Sequence, residues 1–107
     1  MWVVTNNIIP FKGYKAINLF GILFCRKGTV IDYVTLNHES IHTKQMKEML
    51  FIPYYIWYIV EYLIKFFIYG SYFRAYRNIG FEREAYTYEK ESDYLSKRKH
   101  FAWLRQM

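Results

Sequence analysis

The sequence predicts a single α+β domain in which two or three short N-terminal strands precede a series of helices. Three observations predict this fold class. Residues 2–26 are rich in β-branched and aromatic side chains. Residues 36–50 are mostly strong helix formers, and residues 50–69 form a long apolar stretch rich in tyrosine. Because the chain has only 107 residues, one domain spanning 1–107 is expected.

The N-terminal strands are expected at residues 2–11 and 14–26. Pro10 and Gly13 interrupt the strand-forming pattern, since proline cannot donate to a ladder and glycine weakens a strand. A turn is expected at Lys27-Gly28, directly after the second strand. These two strands therefore lead into the part of the chain that carries the candidate site.

The first helix is predicted over residues 36–50. Thr35 and Asn37 are good N-cap residues, and most of the residues that follow favour the helical state. Residues 30–36 are themselves rich in β-branched side chains, which leaves a further strand before this helix as an alternative. The helix carries the string His38-Glu39-Ser40-Ile41-His42, an H-E-x-x-H pattern.

The H-E-x-x-H pattern is typical of a zinc site. The helical period places His38 and His42 on one face, while Glu39 points roughly 100° away. Neutral imidazole nitrogens bind Zn²⁺, and the metal lowers the pKa of its bound water towards about 7. A carboxylate beside that water can take its proton, which makes Glu39 the candidate general base.

Catalytic zinc usually has three protein ligands, so a third one must come from elsewhere in the chain. Residues 80–91 favour a helix, with Asn78 or Gly80 placed to cap it. Glu82 and Glu84 lie there about 200° apart, so one of them can face the metal and not both. One stripe of this helix contains Glu82, Tyr86, Glu89 and Asp93.

These two segments resemble the gluzincin metallopeptidases, in which two motif histidines and a downstream glutamate bind zinc and the motif glutamate is the base. Aligning Ala85 with the alanine of the family's E-x-x-A-D pattern implies that Glu82 is the third ligand. The string 78–86, with 37–39 upstream, also resembles a group of small, uncharacterised bacterial metallopeptidases. The resemblance covers these two segments and implies a minimal zincin-like domain.

The chain departs from the family pattern at Tyr86, where an aspartate often orients a histidine ligand. Metal-bound histidines normally donate their second ring N–H to an acceptor. The candidates for that acceptor are Glu89, Asp93, Asp32 or a backbone carbonyl. The candidates for a donor that assists the transition state are Tyr86, Tyr88 and His100.

The predicted function is zinc-dependent hydrolysis of peptide bonds, with a peptide or protein as substrate and Glu39 as the base. The alternative is a non-catalytic membrane-binding or partner-binding protein whose zinc site is structural or relict, which the small size of the chain favours. Cys25 is the only cysteine, which excludes an intrachain disulfide and a cysteine-based zinc module. We expect Cys25 to be a core or strand thiol and not a third ligand.

The apolar stretch 50–69 is predicted to form a helix that begins near Pro53. Glu61 and Lys65 are its only charges and can pair at i, i+4. Their cost at mid-membrane, about 2.5–3.5 kcal/mol each, disfavours a full span. Tyrosine and tryptophan prefer places where one end is apolar and the other wet. Residues 50–73 are therefore expected to contact a membrane peripherally or a second subunit, with an ordinary core helix as the alternative.

The net charge of +6, from 15 Lys and Arg against 9 Asp and Glu, favours anionic partners. Nucleic acid is disfavoured, because no zinc-ribbon, helix-turn-helix or aromatic sheet signature accompanies the charge. The basic and aromatic tail at 96–105 is expected to be a solvated helix end with docked aromatics or a lipid contact. The N-terminus lacks a signal-peptide pattern, so a cytoplasmic location or one peripheral to the inner membrane is expected.

Overall fold

The computed structural model of the chain describes residues 2–8, 16–28 and 30–107. It confirms the predicted α+β class, because short strands come first and helices follow. The elements are β1 (Trp2–Asn6), β2 (Ala16–Leu19), β3 (Ile22–Arg26), α1 (Tyr33–Glu48), α2 (Ile52–Tyr69), α3 (Tyr72–Arg77), α4 (Gly80–Tyr88), α5 (Tyr94–Lys97) and a final 3₁₀ turn (Ala102–Gln106).

The three described strands form one mixed sheet in the order β1-β3-β2. β1 pairs with β3 in parallel, and β2 pairs with β3 in antiparallel fashion. The single strand predicted over 14–26 was wrong, because Phe20 and Gly21 form a hairpin turn within it. Their φ angles are 54° and 89°, and two consecutive positive values suit the twist of a two-residue hairpin. β2 is therefore an edge strand among those described.

The turn predicted after β3 is confirmed, and Gly28 has a φ of 83° there. The proposed break at Pro10 and Gly13 lies outside the described residues. Cys25 is buried in β3, as expected for a strand thiol.

Helix α1 begins earlier than predicted. Asp32 is its N-cap, and its Oδ1 accepts the backbone N–H of Thr35 at 2.8 Å. Neither Thr35 nor Asn37 caps the helix, and the alternative of a strand over 30–36 was wrong. The earlier start places the H-E-x-x-H string well inside the helix, where both histidine side chains are held by regular backbone geometry.

The chain turns sharply between α1 and α2. Leu50 and Phe51 have positive φ angles of 58° and 64°, and the Phe51 N–H returns to the Met46 carbonyl at 2.8 Å. Pro53 then lies in the first turn of α2, as predicted. Within the described part of the chain no single helix is long and apolar enough to cross a bilayer; α1 and α2 reach that length and hydropathy only together, and they meet at 110°.

Glu61 joins α2 to the start of α4. Its carboxylate is buried and accepts the backbone N–H of Gly80 at 2.9 Å, where the first N–H groups of a helix have no partner within the helix. Lys65 lies 3.9 Å from Glu61, which confirms the predicted i, i+4 pair. The two charges of α2 therefore face the domain and fix the helix against α4.

The C-terminal turn completes the core. Trp103 is only 2% exposed and packs on Phe81 of α4 and Trp57 of α2, with ring centroids 4.6 Å and 5.3 Å away. This confirms the expectation that aromatics of the tail dock on the domain. The tail thus holds α4, and with it Glu82, against α2.

We expect Trp103→Ala to lower the free energy of unfolding by about 3–5 kcal/mol, since it removes a fully packed aromatic side chain. Urea unfolding followed by circular dichroism measures the loss. Leu104→Ala, at the neighbouring exposed position, is the control and should change stability by less than about 0.5 kcal/mol. Equal losses in the two variants would contradict this account of the core.

Candidate metal centre

Three buried side chains converge between α1 and α4. His38 Nε2 lies 3.1 Å from His42 Nε2, and Glu82 Oε1 lies 3.3 Å from the first and 3.0 Å from the second. Ligand atoms at about 2.0–2.1 Å from one tetrahedral metal are about 3.3–3.4 Å from each other. These three residues, which we call the metal cluster, can therefore hold a metal ion.

The metal cluster settles which glutamate of α4 faces the histidines. Glu84 is fully buried on the opposite side of α4, where Arg98 and the Tyr94 hydroxyl bind its carboxylate. Glu82, in the first turn of α4, faces α1. The separation of about 200° predicted from the helical period is thus realised.

His38 is oriented by Glu89. The His38 Nδ1 lies 2.8 Å from Glu89 Oε2, so Glu89 is the acceptor among the predicted candidates. The buried Asn37 side chain fixes this arrangement, because its amide donates to the carbonyls of Tyr88, Glu89 and Glu91 where α4 ends. These bonds hold the Glu89 backbone directly beside the first turns of α1.

Asp93 was placed on the same stripe by the sequence, and this placement was wrong. Helix α4 ends at Tyr88, so the 3.6-residue period does not continue to Asp93. The Asp93 carboxylate is exposed and lies 3.5 Å from Lys97. Asp32, another candidate acceptor, caps α1 instead.

His42 is oriented by Gln45, a residue that sequence reasoning missed. His42 Nδ1 lies 2.7 Å from Gln45 Oε1. The Gln45 amide nitrogen donates to the Phe81 carbonyl at 2.9 Å and to Glu84 at 3.0 Å. The signal was present in the sequence, because Gln45 follows His42 at i+3 and so shares its face of the helix.

These partners determine which ring nitrogens can bind a metal. Gln45 donates twice through its nitrogen, so its oxygen must accept from His42 Nδ1–H. Glu89 likewise accepts from His38 Nδ1–H. Both Nε2 lone pairs then point at the Glu82 oxygen, and three acceptors meet in a buried space. Such an arrangement needs a cation or a proton between its members.

The ionisation of the metal cluster reflects this need. Burial by itself lowers the pKa of His42, but the Glu82 carboxylate, together with Glu39 and Gln45, raises the pKa of His42 to about 9. Burial opposes ionisation of Glu82 in turn, yet the two histidines hold its pKa well below the usual value. A proton thus stabilises the metal-free cluster, and a metal ion would take its place.

The second oxygen of Glu82 is held by Tyr58. The Tyr58 hydroxyl donates to Glu82 Oε2 at 2.8 Å, which leaves Oε1 directed at the histidines. Burial and the neighbouring carboxylate raise the pKa of Tyr58, so the hydroxyl stays protonated and remains a donor. No sequence pattern pointed to Tyr58, which lies on α2 and contacts Glu82 only through the tertiary fold.

Glu39 lies beside the metal cluster but is not part of it. It lines a cavity of about 290 Å³ together with the three cluster residues and with strand β2. Burial raises the pKa of the Glu39 carboxyl, an effect that His42 and His38 oppose. The Asn18 side chain of β2 donates to the Glu39 carbonyl at 2.9 Å and ties the strand to this turn of α1.

Tyr86 packs on the metal cluster without binding it. Its ring meets the His38 ring edge-on at 4.6 Å, and its hydroxyl lies 2.6 Å from that of Tyr76. Tyr76 lines the cavity, and Tyr86 does not. Tyr86, one of the predicted transition-state donors, therefore does not reach the cavity itself. It contacts Tyr76, which does.

The remaining candidates lie elsewhere in the described structure. Tyr88 stacks on Tyr94 at 4.1 Å. The His100 side chain is 94% exposed and lies 3.5 Å from Glu48. Cys25 Sγ lies 3.7 Å from the Thr5 hydroxyl within the sheet. The fold does not bring these three side chains to the metal cluster.

No family model, curated protein or solved structure matches this chain.

We expect Glu89→Ala to weaken binding of a metal ion at the metal cluster by roughly 10–100-fold, because His38 loses the acceptor that orients its ring. Isothermal titration of the metal-free protein with Zn²⁺ measures the change. Glu89→Gln keeps an acceptor oxygen and should lose less. The matched control is Glu91→Ala, an exposed carboxylate two residues further on; a comparable loss in this variant would remove the orienting role from Glu89.

Proposed function

We propose that this chain is a zinc-dependent metallopeptidase of the gluzincin type, which hydrolyses peptide bonds. The observation that carries the proposal is the arrangement of the metal cluster at the wall of a cavity that Glu39 also lines. Three ligands leave the fourth position of a tetrahedral ion for water or substrate, as in catalytic zinc sites. The Glu39 carboxylate in the same cavity can act as the general base that accepts a proton from this water.

The donor set supports zinc as the metal. Two imidazole nitrogens and one carboxylate oxygen match zinc, whereas calcium and magnesium prefer ligand sets made of oxygen alone. The resemblance of the two sequence segments to gluzincins points the same way. His38, His42 and Glu82 would hold the ion, and Glu89 and Gln45 would fix the tautomers of the two histidines.

The protein's own residues would carry the proton transfers. When bound, zinc lowers the pKa of a water molecule and polarises the substrate carbonyl. Glu39 accepts the proton of the attacking water and returns it to the leaving nitrogen. Burial raises the pKa of the Glu39 carboxyl. The carboxyl therefore holds the proton more readily between the two transfers.

The cavity also suits an extended peptide. Residues Ala16–Leu19 of β2 line it, and β2 lies at the sheet edge among the described strands. A peptide can add to such an edge as a further strand, with its main chain hydrogen-bonded to β2. Four tyrosines line the remaining wall, which favours apolar or aromatic substrate side chains; they are Tyr54, Tyr55, Tyr58 and Tyr76.

Tyr76 is the donor that we assign to the oxyanion. Its hydroxyl lies 2.6 Å from the Tyr86 hydroxyl. When the Tyr86 hydroxyl donates to Tyr76, the Tyr76 hydroxyl is free to donate to an oxyanion. Burial and the Glu82 carboxylate raise the pKa of Tyr76, which keeps its hydroxyl protonated. A protonated hydroxyl beside the cavity is the kind of group that stabilises developing negative charge.

Glu39→Gln should keep one zinc per chain and lose at least about 100-fold in turnover, because it removes the base and leaves the ligands in place. His38→Ala and Glu82→Ala should lose both metal and turnover. Elemental analysis of the purified proteins and cleavage of a peptide library measure the two quantities. Glu91→Gln, an exposed carboxylate change, is the control.

Two results would contradict the proposal. Full zinc occupancy in Glu82→Ala would show that another residue is the third ligand. Glu84 is not available for this role, because Arg98 binds its carboxylate on the far side of α4. Zinc in the wild type with no cleavage of any library peptide would favour the alternative, a structural or relict site in a binding protein.

Tyr76→Phe should lower kcat by about 10–100-fold while leaving zinc content and KM nearly unchanged, since the hydroxyl acts on the transition state and not on the bound substrate. Steady-state kinetics on the best library peptide measure the split. Tyr88→Phe is the matched control, because Tyr88 stacks on Tyr94 away from the cavity. An increase in KM alone would assign Tyr76 to substrate binding.

A further inference from the structure

The outward side of helix α2 is almost entirely apolar and has no charged residue. Its exposed residues recur at helical spacing along the whole length of the helix, and none of them is charged. We call this surface the apolar face; it consists of Ile52, Pro53, Ile56, Trp57, Ile59, Val60, Leu63, Ile64, Phe67, Ile68 and Tyr69. Monomeric proteins rarely expose a continuous apolar surface of this extent unless it binds something.

The apolar face is a consequence of how α2 packs. Tyr54, Tyr58 and Glu61 of the same helix face the domain, where they contact the metal cluster or α4. Lys65 pairs with Glu61 and is only partly exposed. Both charges of α2 are thus used inside the domain, and the side that faces solvent has no charged residue.

Helix α3 extends the apolar face with aromatic and basic side chains. Tyr72 and Phe73 are largely exposed, and Arg74 is exposed beside them. Tyrosine and tryptophan side chains favour the boundary between lipid and water, and basic side chains bind anionic headgroups. The corner between α2 and α3 has both kinds of side chain.

The charge of the described surface favours an anionic partner. Most acidic side chains are turned inward, and no acidic residue between Tyr33 and Lys90 is exposed. The exposed acidic residues of the described chain are Asp32, Glu91 and Asp93. Its exposed basic residues are Lys27, Lys44, Lys47, Arg74, Lys90, Lys97, Lys99 and Arg105. Such a surface is attracted to an anionic bilayer and repelled by a copy of itself.

We propose that the apolar face and α3 dock on the surface of a bilayer that contains anionic lipid. The helix lies in the plane of the interface, with its apolar side chains among the acyl chains and its polar side on the domain. A protein partner would normally meet a rim of hydrogen-bonding groups around an apolar centre. Along α2 the apolar face has only the Trp57 N–H, which donates to Glu61, and the Tyr69 hydroxyl at the end of the helix, whereas lipid chains require no such groups.

Co-sedimentation with vesicles tests the proposal. The wild-type chain should bind vesicles of phosphatidylcholine and phosphatidylglycerol at 3:1, more weakly at high salt, and should bind pure phosphatidylcholine less well. Leu63→Gln/Phe67→Gln removes two side chains that are 52% and 85% exposed. This variant should bind at least about tenfold more weakly, because less apolar surface enters the lipid.

The matched control is Val30→Gln/Tyr33→Gln. It changes two side chains of comparable exposure, 79% and 61%, three residues before α1 begins and at its first residue. It should bind as the wild type does. Binding is measured on metal-free and zinc-loaded protein alike, so failure of the metallopeptidase proposal leaves this test intact.

Three results would overturn the proposal. No binding of the wild type to either vesicle would exclude it. Equal binding of wild type and Leu63→Gln/Phe67→Gln would show that charge alone attracts the protein. A dimer in sedimentation equilibrium without lipid, dissociated by Leu63→Gln/Phe67→Gln and accompanied by no vesicle binding, would make the apolar face an interface between two copies.

Discussion

The crossing of α1 and α4 positions every residue of the metal cluster. Two buried amides fix it at its two ends. Asn37 binds the carbonyls where α4 finishes, and Gln45 binds the Phe81 carbonyl where α4 starts. Because the helices are held at both ends, Glu82 of α4 and Glu89, the residue just after its end, meet the two histidines of α1. Glu82 enters the metal cluster, and Glu89 lies behind His38.

Buried charged side chains also hold α1 and α4 together. Glu84 is fully buried and is neutralised by Arg98, which also binds Glu48 of α1 at 2.9 Å. Burial alone would lower the pKa of Arg98, but the two carboxylates hold it above its ordinary value. Removing one partner of such a set leaves an unpaired buried charge. The C-terminal segment is thereby connected through Glu84 and Gln45 to His42.

Helix α2 connects the chemistry of the site to the outer surface of the molecule. Its inner side supplies Tyr58 to Glu82 and Glu61 to the start of α4. Its outer side is apolar because these polar residues are already used within the domain. An α-helix with its side chains is only about 10–12 Å across. The apolar face therefore lies close to the metal cluster.

The relations that depend on local periodicity could be predicted from the sequence. It placed His38 and His42 on one face, separated Glu82 from Glu84, and paired Glu61 with Lys65, because these relations lie within single helices. It missed the hairpin at Phe20-Gly21, whose turn residues carry only a weak signal. The contacts that bring Tyr58 and Tyr76 to the metal cluster, and that select Glu89 among the candidate acceptors for His38, came from the tertiary structure. Those contacts depend on the angle at which helices far apart in sequence cross, and no pattern within one helix encodes that angle.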